Sequence, residues 1–166
     1  LVGRAKAVII RSGHNIDPAM IEDAACRHDD VVMAAAVGMP DDFAGELPVV
    51  YAGRKHGSEL TEEALIAFIN DGIEEPPARP KRVIFIDALP LTPVGKVARY
   101  RLRQAAAVLR AGELLEELAP AIASIDCEDV AARKLAIRWR ESAGEEQSVH
   151  AQRMLAPLGL TMLPAD

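Results

Sequence analysis

"VVMAAAVGMPDDFAGELPVVYAGR", residues 31–54, is the stretch from which the fold is read. Two apolar runs, VVMAAAVGMP and LPVVYAGR, flank the turn-forming cluster DDFAGE, and KHGSE closes the second run. Short apolar runs bounded by Gly, Pro and Asp read as strands, and a short polar connection makes them neighbours in one sheet. Upstream, AVIIR at 7–11 reads as a short buried strand, and SGHN after it as a turn whose residues tolerate positive φ. Asp17 directly before Pro18 is the order of an N-cap followed by a first helical residue, which predicts a helix over about 18–28.

Downstream, Thr61 can cap a helix in which Leu65, Phe68, Ile69 and Ile73 recur on one face. EEPPARP at 74–80 interrupts the chain, and RVIFI at 82–86 supplies a further strand. From Tyr100 to about Leu118 the pattern is helical, with Leu102, Leu109 and Leu118 on or near an apolar stripe and Pro120 as its stop. Past that point the elements are short. AIASI reads as a strand, and KLAIRWR alternates Leu135, Ile137 and Trp139 against polar positions. Ala151, Met154, Leu155 and Leu158 mark a helix, and LTML a closing edge strand. The expected fold is therefore α/β (α+β): a small sheet flanked by helices over 1–103, then an appended small α/β unit over 104–166, for which a ferredoxin-like arrangement is one candidate.

At 166 residues, half of them apolar, the chain can build a real core, although three Phe, two Tyr and one Trp leave that core to Ala, Val, Ile and Leu. A formal net charge of −6 argues against a nucleic-acid surface, and scarce aromatics argue against a stacking sheet. Cys26 and Cys127 stand apart from any second ligand at metal spacing, so neither a metal site nor a disulfide framework is indicated, and two reduced, half-buried thiols are expected. No apolar run approaches the roughly 18 residues of a membrane span, and the start carries no basic-then-apolar leader. A cytoplasmic protein is the expectation. The opening, LVGRAKAVIIRSGHNIDP, enters a strand-like run almost at once and lacks an initiator methionine, as a piece of a longer protein would.

Three segments can carry chemistry. In DALPLTPVGKVARYRLR, residues 87–103, two prolines, a threonine and a glycine precede Lys96, the composition of a rigid loop holding one lysine in a defined place. A lysine there can neutralise a carboxylate or phosphate, although a lone surface lysine is most often a solvated charge. The segment is not a P-loop, because Pro90 and Val97 stand where that motif needs Gly and Ser or Thr. RSGHNI at 11–16 would let backbone approach a ligand at Gly13, while a plain strand-to-helix turn explains the same residues. In GRAK, Arg4 and Lys6 flank a strand start, where exposed basic residues are ordinarily bland.

Taken together, GRAKAVIIRSGHNIDPAMIEDA, VVMAAAVGMPDDFAGELPVVY and RPKRVIFIDALPLTPVGKVAR resemble, in order and spacing, the small C-terminal domain of the adenylate-forming acyl-CoA synthetases over about residues 3–103. The resemblance implies a ligase that makes an acyl-adenylate from a carboxylic acid and ATP and then a thioester with coenzyme A, the small domain rotating as a lid between the steps. Lys96 matches the family's adenylation lysine, Lys6 the hinge residue with Arg4 before it, and Ser12, Gly13 and His14 the loop facing the pantetheine path. Glu46 matches a recurrent acidic residue read as structural. Ala7 replaces a frequent acidic residue, and EEPPARPK is an irregular version of the family's segment. ATP with its magnesium ion, coenzyme A and a fatty or aryl acid would be held mainly by an N-terminal AMP-binding domain of the same chain, so this stretch alone should be inactive. The competing expectation is a non-catalytic interaction or assembly module that retains the lid fold, with 104–166 serving packing or homo-oligomer contact.

Overall fold

The computed structural model describes residues 8–129, 133–141 and 143–163. The chain divides into one compact unit ending at Leu102 and a second beginning at Arg103. The first runs β1 (Ile9–Arg11), β2 (His14–Ile16), α1 (Pro18–Cys26), β3 (Val31–Asp41), β4 (Gly45–Arg54), α2 (Glu62–Asp71) and β5 (Arg82–Phe85). β3 and β4 form the antiparallel pair expected of the two apolar runs, in continuous register from Met33↔Gly53 to Asp41↔Gly45, with a register shift between Met33 and the Val31↔Arg54 pair. Their turn is closed by Asp41, whose Oδ1 accepts the N–H groups of Phe43 at 3.1 Å and Ala44 at 2.8 Å. β5 lies parallel to β4, and β1 and β2 extend the sheet in the order β2-β1-β4-β3.

Both helices begin as their caps dictate. Asp17 accepts from Ala19 N–H at 3.0 Å, and Thr61 from Ala64 N–H at 3.2 Å. α1 turns Ile21, Ala24 and Ala25 inward and α2 turns Leu65 and Ile69 inward, against Ile9, Ile16, Ala36, Val50, Ala52 and Val83 of the sheet. Full burial of each aliphatic side chain contributes about 1.5–3 kcal/mol. The opposite sheet face is buried as well, at Ala35, Val37, Met39, Val49 and Tyr51. Burial on both faces explains why these strands read as continuous apolar runs instead of alternating ones. It also pushes the Tyr51 phenol up to about 12, so the ring is a neutral core group.

Three positions are more exposed than the sequence reading expects. Phe68 is 41 % exposed and meets the edge of the His28 ring at 4.8 Å. Ile10 of β1 is 55 % exposed, on the face opposite the buried Ile9. Cys26 is exposed, whereas Cys127 is half-buried. Both thiols are pushed above their ordinary value, first by partial burial and then by neighbouring carboxylates, which favours the protonated form.

The helix expected from Tyr100 to about Leu118 is α3, Arg99–Leu114, followed by a 3₁₀ turn over Glu116–Ala121 that contains Pro120. The helix therefore ends before its proline. Its buried positions are Leu102, Ala106, Ala107 and Ala111, with Leu115 just beyond, while Leu109 and Leu118 are only half-buried. Small alanines carry the stripe that the larger leucines were expected to mark.

In the second unit β6 (Ile122–Asp129) and β7 (Lys134–Trp139) pair antiparallel, α4 spans Glu145–Leu155, and β8 (Thr161–Met162) lies parallel to β7. Its core joins Ala111, Leu115, Ile122, Leu135, Ile137, Ala151, Leu155, Leu158 and Leu160. Among the described residues the order α-β-β-α-β is that of a ferredoxin-like β-α-β-β-α-β motif without its first strand. Nothing is then inserted between β7 and β8, which pair directly.

Candidate functional site

The Lys96 loop connects β5 to α3. Thr92 clasps it from both sides: its N–H donates to the Lys96 carbonyl at 2.7 Å, and its Oγ1 accepts the Lys96 N–H at 3.1 Å. Inside the clasp Gly95 N–H donates to the Thr92 carbonyl at 2.9 Å, closing a β-turn with Pro93 at its second position. Gly95 follows at φ +74°, a left-handed conformation that favours glycine. Outside it, Leu91 and Val97 form an isolated bridge and Ala98 N–H donates to the Pro90 carbonyl at 2.7 Å. The Pro/Thr/Gly composition thus gives a tight hairpin-like loop, with the Lys96 backbone fixed and its side chain exposed. Among the described residues the Lys96 ammonium has no hydrogen-bond or ion-pair partner. A cation held in this way is available to a carboxylate or phosphate arriving from outside the unit.

Ser12 and Gly13 form a two-residue connection between β1 and β2, at φ +49° and +82°. Positive φ at both central positions is the signature of a type I′ hairpin. A side chain added at Gly13 would meet nothing within 4 Å, so conformation, not crowding, calls for glycine there. The tip is tethered by Ser12 N–H donating to the Ala44 carbonyl of the β3–β4 turn at 2.8 Å. His14 is exposed and pairs across the hairpin with Arg11, whose guanidinium donates to the Pro77 carbonyl at 2.9 Å. The irregular EEPPARP segment is therefore pinned to the hairpin. Glu46 joins strands: its Oε2 accepts the Ile10 N–H at 2.9 Å, and its carboxylate lies where a Cβ on Gly38 would come within 2.5 Å.

Ser12, Gly13 and His14 lie on the β1–β2 hairpin, and Lys96 lies on the connection from β5 to α3. Among the described residues no hydrogen bond or ion pair joins the two loops. Arg4 and Lys6 lie outside the described residues. No group of three or more His, Cys, Asp or Glu side chains among the described residues could hold a metal ion, and no helix there is long and apolar enough to cross a membrane.

Sequence reasoning missed the anchor of the Lys96 loop. Arg99, the first residue of α3, forks onto Glu22 of α1 through Nη1–Oε1 at 2.6 Å and Nη2–Oε2 at 3.0 Å. The same Glu22 Oε1 accepts the Ala36 N–H of β3 at 2.7 Å. Positions 22 and 99 carry no local pattern that could pair them.

Known proteins agree on what this unit is similar to. Residues 20–96 match the AMP-binding enzyme C-terminal domain, a match that ends on Lys96. The chain is 46 % identical over 118 residues to the marinolic acid–CoA ligase of Pseudoalteromonas sp. (strain SANK 73390), covering 71 % of this chain and 18 % of the relative. With 4-coumarate–CoA ligase 2 of Nicotiana tabacum it is 39 % identical over 103 residues, covering 62 % and 19 %. The crystal structure of a Brucella canis acyl-CoA synthetase superposes with a TM-score of 0.57 at 35 % identity, over 63 % of this chain and 20 % of that one. The chain spans less than a fifth of the length of the two curated relatives.

Proposed function

The first unit belongs to the AMP-binding enzyme C-terminal domain family, and from that membership we propose that this chain is the rotating lid of a longer ATP-dependent acid–CoA ligase. In the first half-reaction a carboxylate oxygen attacks the α-phosphorus of ATP, giving acyl-adenylate and pyrophosphate. In the second, the thiol of coenzyme A attacks the acyl carbon and AMP leaves. The observation that carries the reading is the exposed Lys96 ammonium, without a partner among the described residues, on a backbone clasped by Thr92. During adenylation negative charge builds on phosphoryl oxygens while a carboxylate approaches, and a preorganised cation stabilises both without reorganising.

Ser12, Gly13 and His14 offer the second half-reaction a different surface. It is a small hairpin tip with open space around Gly13, suited to the uncharged pantetheine arm of coenzyme A. His14 is read as a positional residue there. Lys6, with Arg4 before it, is assigned to the hinge about which the lid turns, because a hinge needs only to absorb φ/ψ change. ATP with its magnesium ion and most of the acid's contacts fall to an N-terminal AMP-binding domain of the same protein. The relatives' names point to carboxylic acids, and a fatty or aryl acid is the substrate class we favour.

The test is carboxylate-dependent ATP–pyrophosphate exchange by the full-length protein beside its Lys96→Ala variant. Loss of one preorganised donor to developing charge costs about 10²–10³ in rate, the fall expected here. Equal exchange by both proteins would make Lys96 a bystander and favour an assembly module that keeps the lid fold without its chemistry.

A further inference from the structure

We propose that Glu22 and Arg99 are positioning residues for adenylation, a paired clamp that fixes where Lys96 can reach; the inference rests on the role of Lys96 proposed above. Three features of the pair support it. The clamp is close to the lysine, because Arg99 follows Lys96 by three residues and begins α3, so a shift of the guanidinium is passed to the loop through Val97 and Ala98 alone. It is directional, because two parallel N–H···O contacts of 2.6 and 3.0 Å fix the guanidinium plane as well as its distance. Its base is fixed, because Glu22 is itself held by the Ala36 N–H at 2.7 Å, an outward-facing donor of an edge strand.

The Thr92 contacts and the clamp divide the task. Thr92 sets the shape of the turn, and its hydrogen bonds travel with the loop wherever the loop goes. They cannot place that shape against the sheet. At the upstream end placement comes from β5, whose last ladder pair is Phe85 with Ala52 and after which Ile86 N–H donates to the Ala52 carbonyl at 2.9 Å. At the downstream end it comes from the guanidinium fork. A pair needed only for folding would serve equally well wherever it joined helix to helix. This one sits at the boundary between the catalytic loop and its helix, with side chains 30 % and 16 % exposed, dry enough for the geometry to persist.

The test uses the full-length ligase and reads both half-reactions, with Lys96→Ala as reference. Glu22→Gln keeps an acceptor for Ala36 N–H but loses the charge and the two-oxygen fork. Arg99→Met removes the fork entirely, and Arg99→Lys restores charge without the fork. Displacing a reacting group by about an ångström costs about 10²-fold, so Arg99→Met should lose 10- to 100-fold in the turnover of ATP–pyrophosphate exchange. KM for ATP and for the acid should stay within about twofold, as should conversion of supplied acyl-adenylate to thioester. Arg99→Lys and Glu22→Gln should fall between wild type and Arg99→Met. Equal loss of both half-reactions, or a loss confined to KM, would reduce the pair to general folding support and overturn the inference. If exchange survives in Glu22→Gln and Arg99→Met while Lys96→Ala abolishes it, the inference fails and the role of Lys96 stands. If Lys96→Ala itself retains exchange, the underlying reading fails first.

Discussion

The two loops of the first unit use the same device for opposite ends. Each is a tight turn that depends on glycine at positive φ, Gly95 at +74° and Gly13 at +82°. The Lys96 loop is braced by hydrogen bonds through Thr92 and ends in the Arg99–Glu22 fork, and its Lys96 ammonium has no partner among the described residues. The Ser12–His14 tip is tethered by Ser12 N–H to the Ala44 carbonyl and leaves open space around Gly13. Developing charge calls for a fixed donor, because a donor that must reorganise gives back what it stabilises. A neutral arm passing a surface calls for room, and a rigid cation would be of no use to it. The contrast in construction supports two half-reactions served by two surfaces.

The largest effect that could break this contrast comes from crowding the tip. Gly13→Leu should slow thioester formation from supplied acyl-adenylate by about 10²-fold, as expected when a reacting arm is misplaced, while ATP–pyrophosphate exchange is unaffected. Its strain at positive φ, about 1–2 kcal/mol, should appear separately as a lower melting temperature. A fall in both half-reactions together would erase the distinction between the loops. Loosening the clasp is the complementary change. Thr92→Val removes the acceptor for Lys96 N–H while keeping the volume, and should cost exchange about tenfold with thioester formation intact, measured by the same pair of assays.

Smaller effects sharpen the comparison by acting outside both loops. Thr61→Ala removes the cap of α2 and should lower stability by about 1 kcal/mol in urea unfolding, with neither half-reaction altered. The Glu63 carboxyl in that first turn is held below its ordinary value by its own backbone N–H and by Thr61. A depressed folded-state pKa adds stability above the ordinary carboxylate range and loses it as pH falls through the folded value. The acid limb of a stability profile, below about pH 5, should therefore be shallower in Thr61→Ala. The least effect belongs to His14→Ala, exposed and positional, which should change either half-reaction by less than about twofold.

These expectations rest on features that were unequally legible in the sequence. Caps and turns were plain, because Asp17-Pro18, Thr61 and DDFAGE act on neighbours two or three residues away. The β3–β4 pair was plain because its two apolar runs stand either side of one short turn. A rigid loop around Lys96 could be read from its prolines and glycine, but not that Thr92 would clasp it through both backbone and side chain. The Arg99–Glu22 fork spans 77 positions and brings together two ordinary helix residues, so only the folded chain reveals it. The end of α3 is placed too late because Pro120 reads as its stop, whereas the chain leaves the α-helix after Leu114 and Pro120 falls in a 3₁₀ turn; its buried stripe is missed because it is carried by the small Ala106, Ala107 and Ala111.

The central claim is the proposal that the two loops serve different half-reactions. Its most direct test is to measure both half-reactions in two variants of the full-length ligase, Lys96→Ala and Gly13→Leu. The account predicts a crossed result: Lys96→Ala loses pyrophosphate exchange and keeps thioester formation from supplied acyl-adenylate, and Gly13→Leu does the reverse. Parallel losses, with each variant lowering both half-reactions to the same degree, would contradict it.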